Sequence, residues 1–170
     1  MDALFEAHQY WPVHLRFDGD AGFTLWGSGG GEQDRVLLDS DQLVLFRSLG
    51  SMAPSAMCET PLSPGQRAVM LTIAGRTEVP EQLIHYDFCS LRRALRGSER
   101  MSDGQQLNHL NMLWDVTRTL DLPSARHLGN GVLGELANQL MGTEAPLHRH
   151  FALPALETVL EDVGRRIRVL

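Results

Sequence analysis

The chain contains no lysine; all 15 of its basic residues are arginine. A bias of this kind reads as genome composition rather than a choice of guanidinium, although arginine favours bidentate carboxylate contacts. Cysteine is scarce. Cys58 and Cys89 are the two present, too few for a disulfide framework or a four-thiolate zinc site. Aromatic residues make up 6% of the chain. Long apolar runs are missing too. Val36-Leu37-Leu38 and Leu43-Val44-Leu45-Phe46 fall far short of the roughly 18 residues of a membrane span. The first residues, Met1 to His8, carry acids where a secretory peptide needs basic residues. These absences predict a cytoplasmic protein with reduced thiols and no membrane association. G-x-S-x-G, P-loop and H-E-x-x-H patterns are also absent.

What is present suits a folded protein. The chain has 170 residues, 43% of them hydrophobic, which excludes intrinsic disorder. Sixteen glycines without a three-residue period exclude collagen. The length fits one domain. The formal charge of −6 argues against direct nucleic-acid binding. That charge is unevenly placed along the chain. Residues 1–60 hold nine acids against three arginines, and residues 61–170 balance twelve against twelve. Such asymmetry bears on partners rather than on fold.

The pattern of residues predicts an α+β fold, β-rich over 1–60 and helical over 76–170. Val13-His14-Leu15-Arg16-Phe17 and Phe23-Thr24-Leu25-Trp26 alternate with the strand period. They read as a hairpin across a five-residue connection, residues 18–22. Arg35 to Leu38 predicts a third strand, completing a small antiparallel sheet. Ser40 predicts the cap of a short helix through Leu49, stopped by Gly50. The proline-bearing segment 51–65 is the candidate boundary between the two parts. Ser63-Pro64-Gly65-Gln66 has the form of a capping box, yet Ala68 to Ile73 fits a helix or a buried strand equally.

About four helices are predicted to follow. One opens at Pro80, with Ile84, Phe88, Leu91 and Leu95 on one face and Gly97 at its end. Another starts at the Ser102 capping box and carries Leu107, Leu110, Leu113, Trp114, Val116, Thr117 and Leu120. After Ser124 caps a weaker segment, a stripe runs from Val132 to Met141. Residues 143–152 read as a loop. The last helix runs from Pro154 with Leu153, Leu156, Leu160, Val163 and Ile167 in register. The sheet is predicted to pack on this bundle.

Several constellations invite a chemical reading. Gly129, Gly131 and Gly134 match G-x-G-x-x-G, but Asp121 to Leu128 is not the strand that a dinucleotide site requires. Close helix contacts explain these glycines better. His148 and His150 have metal-ligand spacing but no partner set that the sequence identifies; no metal or cofactor is expected. Cys89, with His85 at i−4 and Arg92 at i+3, suits ordinary packing. Arg92, Arg96 and Arg100 fall on one helical face as a weak anion clamp, and cations at a helix C-terminus have a structural reason as well.

The acids of the first third carry the leading expectation. Asp18, Asp20, Asp34, Asp39 and Asp41 predict a docking face for a basic protein partner, with Trp26 or Tyr10 as aromatic anchor. An immunity protein occluding a nuclease-type toxin is one concrete form. A ligand pocket between sheet and helices, lined by Arg92, Arg96, His85, His148 and His150, is the second reading. A homodimeric adaptor is the third.

Overall fold

A computed structural model of the chain describes residues 3–29, 31–57, 61–74, 76, 83–142 and 149–170. The fold is α+β and divides into two compact units. The first comprises Met1–Tyr86 with Arg166–Leu170, and the second Asp87–Arg165. Segment 51–65 therefore lies within the first unit. No described helix is long and apolar enough to cross a membrane.

The first unit begins with a short helix, α1 (Ala3–His8), which leads into the predicted hairpin. Strand β1 (Tyr10–Arg16) pairs antiparallel with β2 (Ala21–Gly27), from Tyr10 opposite Gly27 to Arg16 opposite Ala21. The connection is one residue tighter than expected, because Phe17 N–H donates to Asp20 O at 2.8 Å. The expected third strand is divided. Arg35 and Val36 form β3 beside β2, whereas Leu38 and Asp39 form β4 in a second sheet.

The helix expected from Ser40 is a strand, β5 (Gln42–Leu45). Ser40 and Asp41 both adopt positive φ, 52° and 62°, as the central residues of a primed hairpin turn must. Leu38 then faces Leu43, and Asp39 faces Gln42. Leu43 to Phe46 are fully buried, and burial on both faces erases the alternation by which a strand is recognised. Gly50 lies inside the 3₁₀ turn Leu49–Ser51.

Ser63 does cap a helix, α2 (Pro64–Ile73), through a reciprocal box with Gln66. Its Val69, Met70 and Ile73 join Phe5, Leu25, Val44, Phe46 and Met52 in one apolar cluster. The helix expected from Pro80 is corrected. Pro80 itself lies outside the described residues, and Ile84 to Asp87 form strand β6, next to β1 in the order β3-β2-β1-β6. Ile84 is 41% exposed, so it does not belong to a buried helical stripe.

Helix α3 (Phe88–Leu95) opens the second unit, capped by the Asp87 carboxylate. Gly97 ends it as expected, at φ 76°. Its N–H donates to Ala94 O, and Ser98 N–H to Arg93 O, the paired bonds of a Schellman motif. The Ser102 box opens α4 (Asp103–Thr119) as predicted. Its buried face includes polar Gln106 and His109 beside Leu110, Leu113 and Val116, while Leu107 and Trp114 are half-buried. Ser124 sits within the 3₁₀ turn Pro123–Ala125 and caps nothing. Two helices follow, α5 (Arg126–Gly129) and α6 (Val132–Leu140).

The loop expected over 143–152 ends in a 3₁₀ turn, Arg149–Ala152, and its earlier part lies outside the described residues. Helix α7 (Leu153–Gly164) buries Leu156, Val159 and Val163. Ile167 does not continue it. It starts β7 (Ile167–Val169), which pairs parallel with β5 and completes the sheet β4-β5-β7 in the first unit.

Candidate functional site

The five acids expected to form one face are placed at three sites of the first unit and in its interior. Asp18 is exposed and Asp20 half-buried in the turn between β1 and β2. Asp34 is half-buried beyond the other end of β2, where Arg35 faces Gly27. Six strand steps separate the two ends, about 20 Å at roughly 3.4 Å per residue. Asp41 is exposed on the β4–β5 turn.

Asp39 has no exposed surface to offer a partner. Its Oδ2 accepts from Arg168 Nη1 at 2.9 Å, across the three-stranded sheet. A fully buried carboxylate is tolerable because it is paired. This contact removes Asp39 from the docking face. Nothing in local spacing reveals it, since 129 residues separate the partners.

Among the described residues, Asp20, Asp41 and the exposed Glu32 have no ion pair. Trp26 is half-buried, its ring centroid 5.9 Å from that of Trp11. Tyr10 is half-buried against the apolar cluster. Both candidate anchors are thus partly committed to packing. Folding also redistributes the sequence charge. The first unit has eleven acids against seven arginines, a net −4, and the second ten against eight, a net −2. The return of Arg166 and Arg168 to the first unit accounts for part of this change.

Several arginines of the second unit pair with its own acids. Arg92 Nη1 and Arg96 Nη2 reach opposite oxygens of the Glu157 carboxylate, at 3.4 and 2.7 Å. Arg93 bonds Glu99 at 2.6 Å and Ser90 at 2.9 Å. The Arg93 guanidinium holds the Glu99 carboxyl below its usual range. Arg165 bonds Glu161 and Asp162. The expected clamp of Arg92, Arg96 and Arg100 is therefore not an open set, because one carboxylate takes two of its members. Arg100 is exposed on the wall of a groove of about 720 Å³, with Arg96, Glu99, Ser102 and Gln106.

The remaining motifs resolve into packing where they are described. A side chain on Gly134 would sit 2.3 Å from Gly129 O, and one on Gly131 2.7 Å from the His127 Cα. The glycine pattern thus serves close contact between α5 and α6. Cys89 is buried on α3, whereas His85 is on β6, so the i−4 pair does not share a helix. His85 instead lies beside His14, with centroids 5.1 Å apart. Cys58, His148 and the His150 side chain lie outside the described residues. Among the described residues, no group of three or more histidine, cysteine or acidic side chains could hold a metal.

Comparison with known proteins adds a likeness of fold. No protein-family model matches the chain, and neither does any curated protein sequence. The solved structure of the SatS C-terminal domain, in complex with bromine, is similar at a TM-score of 0.66 and 15% identity. The match covers 98% of this chain and 96% of that one.

Proposed function

We propose that the chain is a binding protein that neutralises a basic protein partner through carboxylates on the turns of its first unit. The observation that carries this reading is the net charge of the first unit, −4 against −2 for the second. Asp20, Asp41 and Glu32 have no ion pair among the described residues, whereas Arg92, Arg93, Arg96 and Arg165 of the second unit are engaged with its own acids. A surface that keeps its carboxylates open steers cationic partners and discriminates by charge.

Asp20 and Asp41 carry the contact in this reading, and the exposed Asp18 stands on the same turn as Asp20. Asp34 extends it at the far end of β2, and the half-buried Trp26 borders that end. Occlusion of a nuclease-type toxin by an immunity protein is the specific form proposed. It requires a partner whose cationic surface ordinarily receives phosphate.

Co-purification from the native host tests it. The unmodified chain is expected to retain a basic protein that elutes as salt is raised, because exposed charges are screened within about 10 Å at 0.1 M salt. The variant Asp18→Asn, Asp20→Asn, Asp41→Asn is expected to lose that protein while keeping its melting temperature. Retention by the triple variant, or a salt-insensitive partner of neutral charge, contradicts the proposal.

A further inference from the structure

His109 lies on α4 and is 8% exposed. Its Nδ1 is 2.7 Å from Gln105 O, one turn earlier on the same helix. A carbonyl oxygen can only accept, so Nδ1 carries the hydrogen. Asp87 N–H donates to Nε2 at 3.0 Å, so Nε2 must be unprotonated. The two backbone partners together fix a neutral ring in one tautomer. Asp87 is also the first residue of the second unit and the cap of α3, its Oδ1 accepting from Ser90 N–H at 3.0 Å. The ring of Phe88 meets the imidazole edge to face, with centroids 6.0 Å apart.

We propose that His109 is a proton-operated latch on the start of α3. A proton from solvent bonds to Nε2, and an acceptor becomes a donor facing the Asp87 N–H. Two donors cannot share one hydrogen bond, so the backbone at Asp87 must move off the ring. This movement loosens the capped turn at the beginning of α3.

The electrostatic surroundings set where the latch operates. From α3, α5, α6 and α7, which pack against α4, Asp87 is the charged group that acts on the ring. Burial pushes the ring below the ordinary histidine value. The bond to Gln105 O and the Asp87 carboxylate oppose that shift without cancelling it. A histidine held neutral in the fold destabilises it when protonated. The latch is therefore closed above the unfolded-state value of about 6.5 and opens as pH falls through the lower folded value.

Nitrogen NMR of the full chain tests the proposal. At neutral pH the ring is expected to show hydrogen on Nδ1 alone. As the ring titrates, hydrogen exchange at the Asp87 amide, corrected for its intrinsic pH dependence, is expected to rise about tenfold or more by local opening. The Leu113 amide, farther along α4, serves as the reference and keeps its protection. His109→Gln keeps an acceptor toward Asp87 without a titrating ring, and its Asp87 protection is expected to stay level with pH. Loss of protection in that variant, or a wild-type Asp87 amide that ignores the ring's titration, overturns the proposal. If the glutamine variant fails to fold, the wild type decides alone: coincident midpoints for ring and amide support the latch, and separate midpoints contradict it.

Discussion

The two units manage charge differently. The second, built of helices, brings acids and arginines within reach of each other on and between neighbouring turns, and pairs several of them at its surface. The first, built largely of strands, buries one pair, Asp39 with Arg168, and leaves other acids on its turns. Surface pairs of the second kind contribute little, typically under about 1 kcal/mol. A buried pair differs in kind, because removing one partner leaves a charge in the interior. The lesson is that eleven acids in one unit and ten in the other differ in what they contribute, according to where each is paired.

The largest effect should come from breaking the buried pair. Arg168→Met leaves the Asp39 carboxylate without that guanidinium. Breaking a buried pair costs about 3–5 kcal/mol, and the one-third exposure of Arg168 places this case near about 3. Adding Asp39→Leu should recover most of the loss, and urea unfolding of the three variants measures both steps. A loss for Arg168→Met no greater than that for Arg96→Met in the second unit would erase the contrast between units.

Next in size is the glycine contact of the second unit. Gly134→Ala places a Cβ 2.3 Å from backbone oxygen, an overpacking cost of about 2 kcal/mol. Gly104 faces open space on α4, so Gly104→Ala should stabilise by up to about 1 kcal/mol through helix propensity. Thermal melts of the two variants should move in opposite directions. Equal shifts would return the glycine pattern to an unexplained motif.

A smaller effect is expected at the β4–β5 turn of the first unit. Ser40 and Asp41 occupy positions that Asn-Gly fills with less strain. Ser40→Asn with Asp41→Gly should stabilise by about 1 kcal/mol and, by removing a carboxylate, weaken binding of a basic partner. Higher stability with unchanged binding would remove Asp41 from the proposed surface.

Local signals were legible in the sequence and long-range ones were not. The β1–β2 hairpin, the Ser63 and Ser102 capping boxes and the Gly97 stop rest on neighbours within a few residues, and all are present. Strand β5 reads as a helix in the sequence because its turn is Ser-Asp rather than Asn-Gly, and because its burial leaves no alternation. Strands β6 and β7 are short, and Ile84 and Ile167 happen to stand at helical spacing from the apolar residues beside them. Pairing with strands far along the chain overrides that spacing. Ile167-Arg168-Val169 does alternate, which could have signalled a strand. For the candidate site, the positions of Asp18 and Asp20 on a turn are legible, whereas that of Asp41 is hidden by the helix expected from Ser40. The separation of Asp34 and the burial of Asp39 required the register of two sheets.

The central claim is that the carboxylates on the turns of the first unit receive a cationic partner. Titrating the isotope-labelled chain with a decaarginine peptide at low salt tests it most directly. The account predicts amide shifts concentrated at residues 18–20 and 41, which fade as salt is raised and disappear in the Asp18→Asn, Asp20→Asn, Asp41→Asn variant. Shifts centred on the helices of the second unit, or no saturable shifts at those turns, would contradict it.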